Sequence, residues 1–171
     1  GPLRPKQRGV AEIAPLQPSH APALVALAQD AYPSSFSLSV QEVESTLQAA
    51  QDGFCFGIFE EGQLTGYMMC WLDFSQVEGR EQEPVILLDD IVVQGSSRRH
   101  FFGLLRALRR GIVARGVTNL AIEGTHRAEA EALFNSHPRV VAVLGYQLAA
   151  CHHYVGEREG EPLCWARYEP M

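Results

Sequence analysis

Two adjacent carboxylates, Asp89 and Asp90, sit inside the apolar run Val-Ile-Leu-Leu-Asp-Asp-Ile-Val-Val at 85–93. Burial pushes a carboxylate towards its neutral form unless it is paired, and a carboxyl titrating nearer neutrality suits a general base. Neighbouring strand residues point to opposite faces, so only one of the two looks to each side. Asp90, closer to the strand's end, is the preferred base, with Asp89 the second candidate. Glu123 closes another short apolar run, 120–123, and is placed to relay a proton through water. The plainer alternative makes Asp89 and Asp90 structural, bonded to backbone or arginine, and Glu123 a solvated strand end.

Arg98, Arg99, Arg106, Arg109, Arg110 and Arg115 fall in one short stretch of a chain whose net charge is −6. An acidic chain argues against general nucleic-acid binding. One basic segment within it fits either a local anionic partner or a solvated helix face. Phe101, Leu104, Leu105, Leu108 and Ile112 repeat at helical spacing, which predicts a helix over 101–115 ended by Gly116. A helix start offers unpaired N–H groups and a partial positive charge, and so attracts phosphate. Neither G-x-x-x-x-G-K nor G-x-G-x-x-G occurs in the chain.

Other reactive side chains gather late in the sequence. His100, His126, His137, His152 and His153 are candidates for proton transfer near neutral pH, and Tyr154 is a candidate general acid. Cys151, His152 and Tyr154 raise a nucleophile or metal reading. Adjacent strand residues face apart, however, and no third ligand stands at defensible spacing, so no metal site is expected. Cys55, Cys70 and Cys164 lie in apolar runs and read as reduced core thiols of a cytoplasmic protein. Tyr67, Trp71 and Phe74 read as packing residues. The acidic loop carrying Glu78, Glu81 and Glu83 would favour a cationic acceptor if it overhung a site.

The elements that must position these residues follow from patterning. Apolar residues make up 46% of 171 and charged residues 20%, enough for one domain with a real core. No apolar run approaches the roughly 18–20 residues that span a bilayer. Residues 1–9 read as a disordered or tag-derived start and 10–171 as one domain. A first strand is expected at 11–16 and an amphipathic helix from Pro18 through Ala31. A second helix should be capped by Ser39 with Glu42 at the capping-box position. Alternation at 54–59 and 64–74 around Glu61-Gly62-Gln63 predicts a hairpin. Strands at 85–93 and 119–123, helices at 128–134 and 140–144, and strands at 147–155 and 162–168 complete the order. This is an α/β sandwich with a mixed, mostly antiparallel sheet.

The segment Val93-Gln94-Gly95-Ser96-Ser97-Arg98-Arg99-His100-Phe101-Phe102-Gly103 resembles the acetyl-CoA pyrophosphate loop of the GNAT acetyltransferases. Arg98 takes the first position of that pattern and Gly103 the last. The turn at Glu61-Gly62-Gln63 and the Leu144-Gly145-Tyr146 triplet are similar to that family's hairpin and sixth-strand entry. The resemblance implies a GNAT fold of six to seven strands and about four helices. It implies an acyl-CoA-dependent N-acyltransferase, acting by direct transfer from acetyl-CoA or another acyl-CoA to a small-molecule or peptide amine. Cofactor contacts are implied from Ile91, Val92 and Val93 and from Arg98, Arg99, His100, Phe101, Phe102 and Gly103. The base would be Asp90, Asp89 or Glu123, and a monomer or homodimer fits the family. Two departures matter. Phe101 stands where the loop's middle glycine belongs, and Val141 stands where many members carry an acidic tyrosine. A GNAT-like binding or regulatory domain without turnover is the alternative.

Overall fold

The computed structural model describes residues 11–32, 38–50, 54–127, 138–156 and 162–171. The expected start segment 1–9 and the expected helix at 128–134 lie outside them. The described elements are β1 (Ala11–Pro15), α1 (Ala21–Ala31), α2 (Val40–Ala49), β2 (Phe56–Glu60) and β3 (Gln63–Phe74). They continue as β4 (Pro84–Val93), α3 (Arg98–Ala114), β5 (Ile122–Arg127), α4 (Pro138–Leu144), β6 (Tyr146–Val155) and β7 (Pro162–Pro170). Seven strands hydrogen-bond in the order β1-β2-β3-β4-β5-β7-β6. The β4–β5 pair is parallel, whereas β1–β2, β2–β3, β5–β7 and β6–β7 are antiparallel. The expected mixed, mostly antiparallel sheet is therefore present. No described helix is long and apolar enough to cross a membrane.

By contact the chain divides into two compact units. One reaches to Met69 and takes Ile91–Ala107, and the other comprises Cys70–Asp90 and Leu108–Met171. In the first, Glu61 and Gly62 both adopt positive φ, 52° and 79°, between the paired residues Glu60 and Gln63. Two consecutive left-handed residues match the right-handed twist of a tight hairpin. The Ser39 hydroxyl accepts from the Glu42 N–H at 3.3 Å, as the capping pattern predicts. Leu24, Val25 and Leu27 of α1, Val43 and Leu47 of α2, and Tyr67 to Met69 of β3 supply its core. A Cβ on Gly103 would collide with the Ile13 Cδ1 atom, so this glycine lets α3 close on β1.

Several boundaries differ from the sequence expectation, and two of them bear on the site. Helix α3 begins at Arg98, not Phe101, because Ser97 caps it. Strand β5 begins at Ile122 and runs on to Arg127. The preceding residues are taken up by a turn in which Leu120 N–H donates to the Val117 carbonyl.

In the second unit, Leu144-Gly145-Tyr146 joins α4 to β6. Gly145 has φ 81°, a left-handed helix end that glycine adopts without steric cost. The Arg109 Nη1 donates to the Leu144 carbonyl at 2.7 Å and lies where a Gly145 Cβ would project. A cation there also complements the negative end of the helix. Tyr146 is buried, with its hydroxyl donating to the Leu120 carbonyl at 2.8 Å. Replacing Gly145 by Ala should cost about 1–2 kcal/mol in backbone strain alone and displace the Arg109 guanidinium. A melting temperature lowered by roughly 3–8 °C is expected from thermal unfolding.

Candidate active site

The chain leaves β4 through a short 3-10 turn, Gln94–Ser96, whose Gly95 has φ 70°. Ser97 then serves the start of α3 twice. Its carbonyl accepts from Phe101 N–H at 3.0 Å, and its hydroxyl accepts from His100 N–H at 3.3 Å. Phe102 and Gly103 lie deeper in the helix, where N–H groups bond back to carbonyls one turn earlier. Arg98 and Arg99 are exposed, and among the described residues their N–H groups meet no acceptor. Within 98–103, the N–H groups that meet no acceptor among the described residues are thus those of Arg98 and Arg99.

The bulky residues of the stretch turn elsewhere. The Phe101 ring is only 7% exposed and packs edge-on against Phe102 at 6.3 Å. The His100 Nε2 lies 3.4 Å from a Glu60 carboxylate oxygen, so its ring faces the hairpin. Arg106 lies over the Phe102 ring at 5.9 Å. Ile91, Val92 and Val93 close β4 half-buried. The arginine cluster therefore divides: Arg98 and Arg99 guard the helix start, and Arg109 holds the end of α4.

The parallel β4–β5 ladder runs Ile86↔Ile122, Leu87↔Glu123 and Leu88↔Gly124. Asp89 is the next residue of β4. It retains exposed surface, yet protein atoms crowd it enough that desolvation, with help from the Asp90 charge, pushes its carboxyl up to about 6. Asp90 is half-buried on the opposite face. The raised group is therefore Asp89, whereas the sequence favoured Asp90.

Glu123 is neither a solvated strand end nor an available base. It is fully buried, and both oxygens are engaged. The Ser75 hydroxyl donates to Oε2 at 2.6 Å, Gln76 N–H to Oε1 at 2.9 Å, and Arg167 Nη1 to Oε2 at 2.5 Å. Arg167 also donates to Glu83 at 2.6 Å and to Glu169 at 3.3 Å. Burial alone would lower the Arg167 pKa, but the bonds to Glu83, Glu123 and Glu169 outweigh it and hold the guanidinium above its ordinary value. Sequence reading missed Arg167 and Ser75. The available signal was a lone arginine in the apolar run 163–168, whose register partner is Glu123. Glu83 is committed to Arg167 and is not free to meet a cationic acceptor.

Val141 is buried and offers no acid. Tyr154 is 40% exposed, and its hydroxyl donates to the Thr125 hydroxyl oxygen across 3.5 Å, a weak bond. His152 stacks on Trp165 at 5.1 Å. The side chain of His126, and all of His137, lie outside what is described.

Removing one partner of a buried ion pair strands the other. Glu123→Ala is expected to cost about 3 kcal/mol or more in urea unfolding. Asp89 gives the opposite sign. Its folded pKa lies above the ordinary carboxylate value, so between about pH 4 and 6 the folded state binds more protons than the unfolded state. Stability from this group falls as pH rises through that window. Asp89→Asn should raise the melting temperature at pH 7.5 and bring little gain at pH 4.

No family model and no curated protein matches the chain. Solved structures do. A ribosomal-protein-alanine N-acetyltransferase from Brucella melitensis superposes with a TM-score of 0.68 at 18% identity, covering 94% of this chain and 99% of that one. A GNAT family acetyltransferase from Streptococcus pneumoniae gives 0.65 at 16% identity, covering 93% and 98%. Arabidopsis thaliana Naa50, in complex with a bisubstrate analogue of CoA and a peptide, gives 0.65 at 10% identity, covering 94% and 99%. With its strand order and helix placement accounted for along almost the whole length, the chain has the fold of the GNAT acetyltransferases.

Proposed function

We propose that this protein is an acyl-CoA-dependent N-acyltransferase. The observation that carries the reading is the start of α3. Two first-turn amides meet no acceptor among the described residues, two exposed arginines flank them, and the Phe101 ring is turned into the core. A pyrophosphate needs this combination of oriented N–H groups and cations. The His100 N–H, held by Ser97 at 3.3 Å, is a third donor that a stronger acceptor can win. Ile91 to Val93 supply extended backbone for the pantetheine arm, and an N–H of Ile91 or Val92 serves the thioester oxygen. Similarity to N-acetyltransferases, one of them with a CoA–peptide analogue, supports an amine or peptide acceptor.

In the reaction, the acceptor nitrogen attacks the thioester carbon, a C–N bond forms and the C–S bond breaks. Asp89 takes the proton from nitrogen, directly or through water, and CoA leaves as the thiolate. A carboxyl at about 6 is ionised at neutral pH yet more basic than an ordinary aspartate. A cytoplasmic setting fits four cysteines held as thiols. The alternative, a domain without turnover, is favoured by Val141 at the tyrosine position.

Thermal shift with acetyl-CoA tests the reading. At a hundredfold excess over Kd the linkage stabilisation is about 2.7 kcal/mol. A chain of this size should then melt roughly 5–10 °C higher. Arg98→Ala combined with Arg99→Ala should weaken binding by about tenfold or more, because charge-assisted bonds are lost. A melting curve unmoved by millimolar acetyl-CoA would falsify the assignment. Binding without transfer to any amine or peptide would select the alternative.

A further inference from the structure

We propose that Cys151, His153 and Cys164 form a zinc(II) site that fastens β6 to β7. The sequence offered no third ligand near Cys151 and His152, because the third ligand arrives across the sheet. Cys151 and His153 are two residues apart on β6 and share a face. His153 is the register partner of Cys164 on β7, and Cys151 is the partner of Ala166, two residues further along. The two sulfurs and a ring nitrogen all lie within 4.8 Å of one another. His152, which the sequence paired with Cys151, belongs to the other face and stacks on Trp165.

The donor set selects the metal class. Two thiolates and an imidazole suit a borderline-soft, redox-inert cation, and zinc is the common occupant of such sets. Zinc holds sulfur at about 2.3 Å and nitrogen at about 2.0 Å, which places tetrahedral ligands about 3.5–3.8 Å apart. The three atoms need to close by roughly 1 Å, a matter of side-chain rotation rather than backbone movement. Cys164 is fully buried, Cys151 half-buried and His153 exposed, so the set grades from core to rim. Three protein ligands leave a fourth position for water on the exposed side. Each thiol gives its proton to solvent as its S–Zn bond forms. A core-packing role accounts for Cys164 alone. It does not account for a second thiol and an imidazole brought to the same sulfur.

Position in the sheet gives the site a use. Among the described strands β6 is at the sheet's edge and pairs only with β7, and most of its side chains are exposed. An ion bridging the two strands would hold that edge strand where apolar burial is slight. The inference is independent of the acyltransferase reading.

The test uses the full chain, reduced and stripped with a chelator, titrated with cobalt(II) and then with zinc(II). One equivalent of cobalt with thiolate-to-metal charge-transfer absorption, displaced by zinc, is expected. Cys151→Ser and His153→Ala should each weaken zinc binding by at least about tenfold, the loss that even outer-shell changes produce. These two positions are chosen because Cys164 is buried and its replacement risks unfolding. His152→Ala, on the opposite face, should leave the affinity unchanged. Absence of charge-transfer absorption from the reduced protein overturns the proposal. So does absorption that survives Cys151→Ser, or a loss on His152→Ala equal to that on His153→Ala. Isolation of the protein with Cys151 and Cys164 joined as a disulfide, with no metal uptake after reduction, overturns it in favour of a thiol pair.

Discussion

The buried pair of Glu123 and Arg167 is the constraint from which the second unit is built. Two charges taken out of water cost several kcal/mol each unless every donor and acceptor is matched. Here they are matched from several directions. Arg167 stands opposite Glu123 across the β5–β7 ladder, and Ser75 and Gln76 close the carboxylate from the end of β3. Glu83 reaches the guanidinium from the residue before β4. One ion pair therefore fixes the end of one strand, the approach to another and the register of two more. The loop from Ser75 to Glu83 is drawn in by the same groups, with Ser75 N–H donating to the Glu83 carbonyl.

Glu123 also lies near the end of the β4–β5 ladder. Leu87 is the register partner of Glu123, and one pair later the parallel register stops at Leu88. Asp89 follows directly. Its raised carboxyl is thus a consequence of position: it stands at the limit of a well-packed ladder, next to a second negative charge, with partial access to solvent. The same strand then feeds the Gly95 turn and the Ser97 cap. Along the sequence, Asp89 and the start of α3 are joined by the last residues of β4 and one short turn. Proposed base and proposed cofactor site come from a single continuous stretch of chain.

Much of this was legible in the sequence because it is local. Alternation around Glu61-Gly62, the Ser39 cap, the apolar stripe of α3 and the buried run of β4 each declare themselves within a dozen residues. The order of elements followed from them. The rest is illegible where a neighbour in space overrides a neighbour in sequence. Phe101 stands in place of the loop's middle glycine, and the sequence alone leaves its direction open. Because α3 starts three residues earlier than its apolar stripe suggests, Phe101 is the fourth helical residue and faces the core. Glu123 reads as a strand end, but β5 continues to Arg127, and Ser75, Gln76 and Arg167 close its carboxylate. Linear spacing gives Cys151 no third ligand, and Cys164 comes near it only through register with β7. Each of these depends on strand pairing, which no window of sequence contains.

The buried Val141 bears on the proposed reaction less heavily than its position suggests. A tyrosine there would protonate the departing sulfur, and its absence matters in proportion to how much that sulfur needs a proton. A thiol of ordinary pKa, about 8.5, is far more acidic than water or an alcohol. Its thiolate leaves a tetrahedral intermediate without prior protonation and collects a proton from solvent afterwards. The harder proton is the one on the acceptor, an ammonium ion at neutral pH, which must be removed before nitrogen carries a usable lone pair. A base serves that step, and the raised carboxyl of Asp89 is such a group. Loss of the acid then trims the rate of one half of the transfer, whereas loss of the base would stop the half that begins it. On this account a chain with valine at position 141 and a carboxylate at position 89 keeps the more demanding partner of the pair.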